Sequence, residues 1–221
     1  MARRLIILAT VLVLLVGGAF AVFALRGSDA PPPPALSQDE PTATATATPA
    51  QAATWEIAAG EETFVGYRVR EEFASIGVAD AVGRTGEVGG GVNVDGDHIA
   101  GAVLEADMST LRSDESRRDD ALRTRGIETD RFPDAQFQLS EPVDLTRRNQ
   151  RVRGELTLHG ETQTIAVTVS AQRLGGDTIE LAGSAPIAFA DFGIEPPSVA
   201  GVVTVEDEGT LEFLLLLAPA T

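Results

Sequence analysis

The clearest pattern in the chain is an alternation of apolar and polar residues over residues 151–171. Apolar residues occupy every second position from Val152 to Leu158, and the alternation resumes over Gln163–Ala171. A period of two is typical of a strand with one buried side and one wet side. The intervening His159-Gly160 predicts a tight turn, because such turns need positive φ and glycine adopts it freely. The segment is therefore predicted to be a β-hairpin.

Similar patterns recur along the chain and predict further strands, as a single hairpin is marginal in water. Strands are expected around residues 64–69, 99–107, 137–140, 178–187 and 210–217, with a turn at Asp95-Gly96. The stretch Val82–Val94 is rich in glycine, and glycines inside strands accompany the bulges and coiling that curl a sheet into a barrel.

One segment, Ser113–Arg125, breaks the β pattern. It is highly charged, with acidic residues near its start and arginine near its end, which predicts a short helix. The fold class is therefore predicted as all-β, an antiparallel barrel of about eight strands with a short helical insertion. Leu214–Leu217 is apolar on both faces, so an outer cover is expected there, and the short helix is the expected cover.

The N-terminal part of the chain differs in composition from the rest. Residues 1–26 carry Arg3 and Arg4 before an uncharged apolar run to Leu25, which predicts either one transmembrane helix or a cleaved signal peptide. Residues 27–54 are rich in Pro, Thr and Ala and predict a disordered, extended linker that holds the domain off the membrane. The folded domain is expected over residues 55–221.

Composition excludes several classes of function. The chain has no cysteine and no lysine, so thiol chemistry, Schiff-base chemistry and Walker-type phosphate loops are excluded. The net charge of −16 opposes nucleic acid as a partner. The two histidines, His98 and His159, are far apart in sequence and give no metal-ligand spacing. No cofactor is expected, and an enzyme is the weakest hypothesis, with Asp191 and His159 as its only candidate acid or base.

Several segments together resemble a known family. Gly154–Ile165 (GELTLHGETQTI), Ser116–Leu122, Arg131-Phe132-Pro133 with Phe137, and Ala190–Ile194 (ADFGI) are similar, in order and spacing, to motifs of the YceI-like, polyisoprenoid-binding family. The resemblance extends over residues 55–218. Three features depart from the family pattern: Ala121 stands where histidine is usual, Gly126-Ile127 replaces a usual pair of phenylalanines, and no arginine stands just before Asp191.

The resemblance implies a lipocalin-like barrel whose lumen binds an amphiphilic, isoprenoid or other long-chain lipid or quinone, without catalysis. The expected lumen residues are apolar, and each is also explained by ordinary core packing: Phe132, Phe137, Phe189, Phe192, Ile194, Leu156 and Leu158. Small residues on the inner strand faces, including Gly154, Ala171, Gly183 and Ala185, are expected to leave a slot for the ligand.

Four residues are candidates for a ligand headgroup: Arg117, Arg118, Arg123 and His159. The competing interpretations are that the arginines pair with neighbouring acids on a solvated helix face and that His159 is a turn residue.

The sequence therefore predicts an extracytoplasmic lipid-binding domain, tethered to the cell membrane by a single span or secreted after signal cleavage. The alternative hypothesis is a dry barrel that docks an envelope protein through outer residues such as Leu214 and Leu216. The sequence leaves the oligomeric state open.

Overall fold

The computed structural model describes residues 30–38, 53–58, 60, 62–74, 77–174, 177–197 and 202–220. No helix among these residues is long and apolar enough to cross a membrane. The predicted membrane segment, residues 1–26, and residues 27–29 and 39–52 of the predicted linker lie outside the described residues, so both expectations stay predictions.

The described chain is built almost wholly from strands. In chain order these are β1 (Ala53–Ile57), β2 (Phe64–Phe73), β3 (Gly77–Thr85), β4 (Val88–Asp95), β5 (His98–Asp107), β6 (Arg112–Ser113), β7 (Asp134–Leu139), β8 (Val143–Asp144), β9 (Gln150–Leu158), β10 (Glu161–Leu174), β11 (Thr178–Ala188) and β12 (Val203–Pro219), with the helix α1 (Ser116–Thr124) after β6 and two short 3-10 turns, Met108–Thr110 and Phe189–Phe192.

Eight strands form a closed antiparallel ring in the order β1-β4-β5-β7-β9-β10-β11-β12, and β1 closes it by pairing with both β4 and β12. Strands β2, β3 and β6 extend the sheet from the first part of β12. The structure confirms the all-β, eight-stranded antiparallel barrel. Closure leaves no free edge in the ring, which prevents pairing with other chains there.

The hairpin with the clearest alternation is β9–β10. Its register runs from Leu158 opposite Glu161 to Gln150 opposite Val169. His159 and Gly160 have φ values of 54° and 81°, the positive φ that the turn requires. The alternate apolar residues of β9 face the barrel interior, as expected.

Helix α1 begins at Ser116, three residues later than Ser113, the start of the predicted helical segment. The Glu115 carboxylate caps it by accepting a hydrogen bond from the Arg117 amide. Ser113 belongs to β6 instead, where its amide and hydroxyl donate to the Asp119 carboxylate at 3.0 and 2.7 Å.

Strand β12 begins at Val203, seven residues before the predicted Thr210. The additional part contains the exposed acidic residues 206–208, and the register with β2 shifts between Val205 and Gly209. A bulge of this kind breaks the alternation by which a strand is recognised.

The two ends of the barrel differ. At one end, here called the closed end, β1 and the β4–β5 hairpin surround a packed core whose members include Trp55, Val92, Ile99, Ile179 and Leu217, each less than a tenth exposed. At the other end, here called the mouth, lie the β2–β3 hairpin, the β9–β10 turn and α1.

The proline-rich residues Ala30–Gln38 lie on the outer face of the barrel. Pro31 and Pro32 accept hydrogen bonds from Arg68 and Arg84, and Ser37 binds Glu180. Because β12 lies between β2 and β11, this segment crosses the outside of β12. The expectation that α1 covers Leu214–Leu217 is therefore wrong, and this part of the predicted linker is docked rather than a free spacer.

Candidate ligand cavity

The mouth half of the barrel encloses a cavity of about 190 Å³. Its wall comes from β2, β4, β5, β7, β9, β10, β11 and β12, and it shares Leu156, Val167 and Leu215 with the packed core. Apart from Tyr67, Glu105, Gln136 and Thr210, every lining residue is apolar or glycine. A wall of this kind accepts hydrocarbon and offers few groups that bind water.

Aromatic rings that line the cavity lie against glycines of neighbouring strands. A β-carbon placed on Gly83 would approach the Tyr67 ring to 2.4 Å, and one on Gly183 would approach the Phe213 ring to 2.4 Å. The absence of a side chain at these glycines lets the rings lie flat on the sheet, so the axis of the barrel stays open.

The predicted slot made by small residues is therefore corrected. Gly154 and Gly183 do not leave open space, since the rings of Phe137 and Phe213 occupy it. Ala171 and Ala185 are buried in the core and do not line the cavity. The space exists because large rings are held against the wall, not because the wall lacks large residues.

The mouth is partly covered by two segments. Leu122 of α1 and the following Gly126 and Ile127 border the cavity, as do Pro196 and Pro197 after the second 3-10 turn. A β-carbon on Gly126 would lie 3.3 Å from Pro197 Cδ, so the segments approach closely. Gly126 also has φ of +69°, which disfavours any other residue there.

The seven predicted lumen residues divide into two groups. Five line the cavity: Phe137, Leu156, Leu158, Phe189 and Ile194. The other two do not. Phe192 is buried in the core, and the Phe132 ring packs against His159 at a centroid distance of 4.4 Å. That the five contact a ligand stays a prediction.

The predicted headgroup arginines do not converge on the cavity. The Arg118 guanidinium is bound by Glu71 at 3.0 and 3.1 Å and by Asp114 at 2.6 Å. Burial lowers the pKa of Arg118, but the hydrogen bonds and the negative charge of Glu71, with smaller contributions from Tyr67 and Asp114, together outweigh burial and raise the pKa overall, so the group is fixed as a cation with its partners. Arg123 pairs with Asp130 at 3.3 Å, and Arg117 is exposed.

The His159 side chain forms hydrogen bonds to two neighbouring segments at the mouth. Its Nδ1 lies 2.9 Å from the carbonyl oxygen of Phe192, and its Nε2 lies 3.1 Å from a carboxylate oxygen of Glu128. The side chain thus connects the β9–β10 turn to the segment after α1 and to the second 3-10 turn. Both ring nitrogens have partners, which places His159 in a structural role at the turn.

Part of the cavity wall was not predicted from the sequence. Val65, Tyr67 and Val69 on β2 and Leu122 on α1 line it, although the alternation over 64–69 identified the strand that carries the first three. Tyr67 is notable because its buried hydroxyl has no hydrogen-bond partner among the described residues. Burial raises the pKa of Tyr67.

Within the described residues no group of three or more His, Cys, Asp or Glu side chains is placed to hold a metal ion. The geometry instead defines a class of protein: a closed antiparallel barrel with a hydrocarbon-lined cavity that opens at one end, a form suited to one small apolar ligand.

The chain belongs to the YceI-like domain family, whose model matches residues 55–216. It is 28% identical over 139 residues to a UPF0312 protein of Vibrio cholerae, covering 59% of this chain and 74% of the relative. It is also 28% identical over 168 residues to a UPF0312 protein of Vibrio parahaemolyticus, covering 71% of this chain and 86% of the relative.

Two solved structures share the fold. A polyisoprenoid binding domain from Saccharophagus degradans, implicated in plant cell wall breakdown, aligns with a TM-score of 0.56 and 19% identity over 77% of this chain and all of that one. Burkholderia cenocepacia BcnA aligns with a TM-score of 0.55 and 20% identity over 71% of this chain and 96% of that one.

Proposed function

We propose that this protein binds an amphiphilic long-chain lipid, of polyisoprenoid or similar type, with the tail inside the barrel. The observation that carries the proposal is the cavity itself: about 190 Å³ of space with an almost wholly apolar wall and an opening at the mouth. The description of the Saccharophagus degradans domain as polyisoprenoid binding supports the same ligand class.

The size of the cavity indicates how much of a tail it holds. A water-sized group requires about 10–15 Å³ of such space, so 190 Å³ accommodates roughly 13 to 19 such groups. At ~0.8 kcal/mol per methylene, burying a tail of that size contributes about 10 to 15 kcal/mol before the costs of association and of ordering the chain are subtracted. Hydrocarbon burial alone is therefore enough to retain a ligand.

The ligand headgroup lies outside this apolar space. Arg118 is held by Glu71 and Asp114, and Arg123 by Asp130, so neither is a free cation inside the lumen. An ionised headgroup buried without a partner costs several kcal/mol, so it stays near the mouth, where water reaches it.

We propose a binding role rather than an enzymatic one because general acid–base catalysis needs an ionisable group at the reacting atoms, whereas the ionisable residues on this wall are Glu105, which is exposed, and Tyr67, whose pKa is raised by burial. The alternative, an envelope interaction module using Leu214 and Leu216, has less support. Both leucines are half-buried on the part of β12 that Ala30–Gln38 crosses, so neither is a free surface anchor.

The location is also a proposal: the folded domain lies outside the cytoplasm, tethered by residues 1–26 or released after their cleavage. Its support is the sequence, in which Arg3 and Arg4 precede the apolar run and orient such segments with their N-terminus inside.

A cavity-blocking substitution tests the binding proposal. Ala135 lines the cavity on β7, so Ala135→Trp inserts an indole into the space that the tail would occupy. Ala100→Trp on β5 is the matched control, because Ala100 is exposed. With the full chain in mild detergent, we expect uptake of a fluorescent polyene fatty acid or isoprenoid alcohol to fall at least tenfold for the first variant only. Equal uptake by both variants contradicts the proposal.

A further inference from the structure

The outer face of the barrel carries polar side chains that are buried although they point away from the core. Glu180, Gln172 and Glu212 are 3%, 4% and 2% exposed. The neighbouring Ile179 and Leu181 on β11 face the core, so Glu180 faces outwards. A carboxylate on an outer face is normally wet, and its burial here requires a cover with hydrogen-bond donors.

The cover at Glu180 is Ser37. The Ser37 amide donates to the two Glu180 carboxylate oxygens at 3.1 and 3.0 Å, and its hydroxyl donates to the same group at 3.0 Å. Gln172 donates its side-chain amide to the Ser37 carbonyl at 3.2 Å and to Glu180 at 2.6 Å. Ser37 thus supplies hydrogen bonds that the buried carboxylate would otherwise lack.

The other end of the segment is held by arginines. Arg68 donates to the carbonyl oxygen of Pro31 at 2.6 Å while its guanidinium also binds Glu212 at 2.6 and 3.2 Å. Arg84 donates to the carbonyl oxygen of Pro32 at 3.2 Å. Proline carbonyls are good acceptors for such donors because the polyproline backbone has no internal hydrogen bonds.

The segment fits the width of the sheet it crosses. From Arg84 on β3 to Gln172 on β10 it spans five neighbouring strands, in the order β3-β2-β12-β11-β10. Four intervals of about 4.8 Å make about 19 Å. The five residue steps from Pro32, which Arg84 contacts, to Ser37, which Gln172 contacts, span about 16 Å at ~3.1 Å per residue in the polyproline conformation that four consecutive prolines favour, and the two side chains cover the remaining distance.

The segment also has a direction. Ala30 and Pro31 lie beside Asp80 and Asp114, close to where α1 begins, whereas Glu180 is opposite Leu216, next to the closed-end core. The chain therefore runs from the mouth half towards the closed end. Ala30 precedes a proline and is therefore restricted to an extended conformation.

We infer that Ala30–Gln38 is a docking strap that orients the barrel on the membrane with its mouth towards the bilayer. The inference rests on the proposed lipid-binding function and on the proposed membrane segment ending at Leu25. Five residue steps separate Leu25 from Ala30, which span at most about 18 Å. A tail then passes between bilayer and cavity without crossing bulk water, which would cost ~0.8 kcal/mol per exposed methylene.

The test uses the absence of cysteine, since any single introduced cysteine is labelled uniquely. Arg125→Cys places a fluorophore beside the mouth, and Asp95→Cys places one on the closed-end hairpin, both at exposed positions. The full chain is reconstituted in phosphatidylethanolamine–phosphatidylglycerol vesicles containing a nitroxide-headgroup lipid, and labelled from outside with an impermeant maleimide. We expect several-fold stronger quenching of the label at position 125 than of the label at position 95.

Ser37→Asp releases the strap by placing a second carboxylate against buried Glu180, without changing the barrel. Gln38→Asp adds the same charge at an exposed position and is the matched control. The quenching difference should disappear in Ser37→Asp and persist in Gln38→Asp. Three outcomes overturn the inference. The two labels are quenched equally when the strap is unmodified, the quenching difference is unchanged in Ser37→Asp, or the chain does not bind the vesicles.

The same variants separate this inference from the lipid-binding proposal. Uptake of a dispersed isoprenoid alcohol should be unchanged in Ser37→Asp, because the cavity is untouched. A chain that shows the quenching difference but takes up no lipid keeps the strap and refutes the binding function. A chain that takes up lipid but shows equal quenching at both labels keeps the binding function and refutes the strap.

Discussion

The most informative single substitution is Gly83→Ala on β3. The three atoms nearest to a β-carbon at this position all belong to the Tyr67 side chain: two ring carbons at 2.4 and 2.8 Å and the hydroxyl oxygen at 3.0 Å. Contacts below 3.0 Å require the side chain to move, and we expect it to move into the cavity that Tyr67 lines. The substitution therefore tests whether glycines on the wall keep the lumen open by holding aromatic rings flat.

The expected magnitude follows from two opposing effects. Overpacking a well-packed site costs about 1–3 kcal/mol. Replacing glycine by alanine inside a strand stabilises the fold by about 0.5–1 kcal/mol, because the unfolded chain has less conformational entropy to lose. We expect a net loss of about 0.5 to 2 kcal/mol in the free energy of unfolding, together with weaker lipid uptake, because the displaced ring narrows the cavity.

The assay is urea denaturation of a double-mutant cycle with Tyr67→Leu, which removes the ring. In that background Gly83→Ala should become stabilising, giving a coupling energy of about 1–3 kcal/mol. Gly91→Ala is the matched control, since nothing lies within 4 Å of a β-carbon there, and it should stabilise by about 0.5–1 kcal/mol. Additivity within the cycle, or equal effects at Gly83 and Gly91, would refute the reasoning.

Two further predictions concern buried polar groups. Tyr67 is the only tyrosine in the chain, and burial raises its pKa. The native domain should therefore show no tyrosinate absorbance near pH 10, the ordinary tyrosine pKa. Its free energy of unfolding should fall as the pH rises above about 10, because only the unfolded chain then loses the proton. Tyrosinate absorbance at pH 10 without unfolding would contradict this. Arg118→Ala leaves Glu71 without its partner and should lower the free energy of unfolding by about 3 kcal/mol. The control, Arg117→Ala at an exposed position, should change the free energy of unfolding by less than about 0.5 kcal/mol. Equal effects of the two substitutions in urea titrations would argue against the buried pair.

The barrel was predictable from sequence where burial is one-sided. Along β9 and β10 one face meets the core and the other meets water, so the alternation from Val152 onwards gives both the strands and the His159-Gly160 turn. The first part of β12 was not predictable in this way, because its acidic residues 206–208 are exposed and a bulge interrupts the register.

The cavity was only partly predictable. That Phe137 and Leu156 face the lumen follows from strand periodicity. That Gly154 accommodates the Phe137 ring depends on the register between β7 and β9, which one sequence does not encode locally. The headgroup arginines illustrate a similar limit: Arg118 is paired by Glu71, which is 47 positions distant in the chain.

The strap was missed because its interactions are long-range. A Pro-rich segment with one large apolar residue, Leu36, lacks the surface to fold by itself, and composition therefore predicts a free linker. Its docking depends on hydrogen bonds between Ser37 and Glu180, 143 positions apart. Such pairings depend on the closed barrel being present first.

The central claim, that the lumen binds a long-chain lipid, is tested most directly by native mass spectrometry of the full chain released from detergent micelles. Organic extraction of the same sample identifies what is released. The account predicts a discrete added mass that is recovered as an isoprenoid or fatty species and is absent from Ala135→Trp. A bare chain that stays bare after incubation with isoprenoid lipids, or an added mass that Ala135→Trp retains, would contradict it.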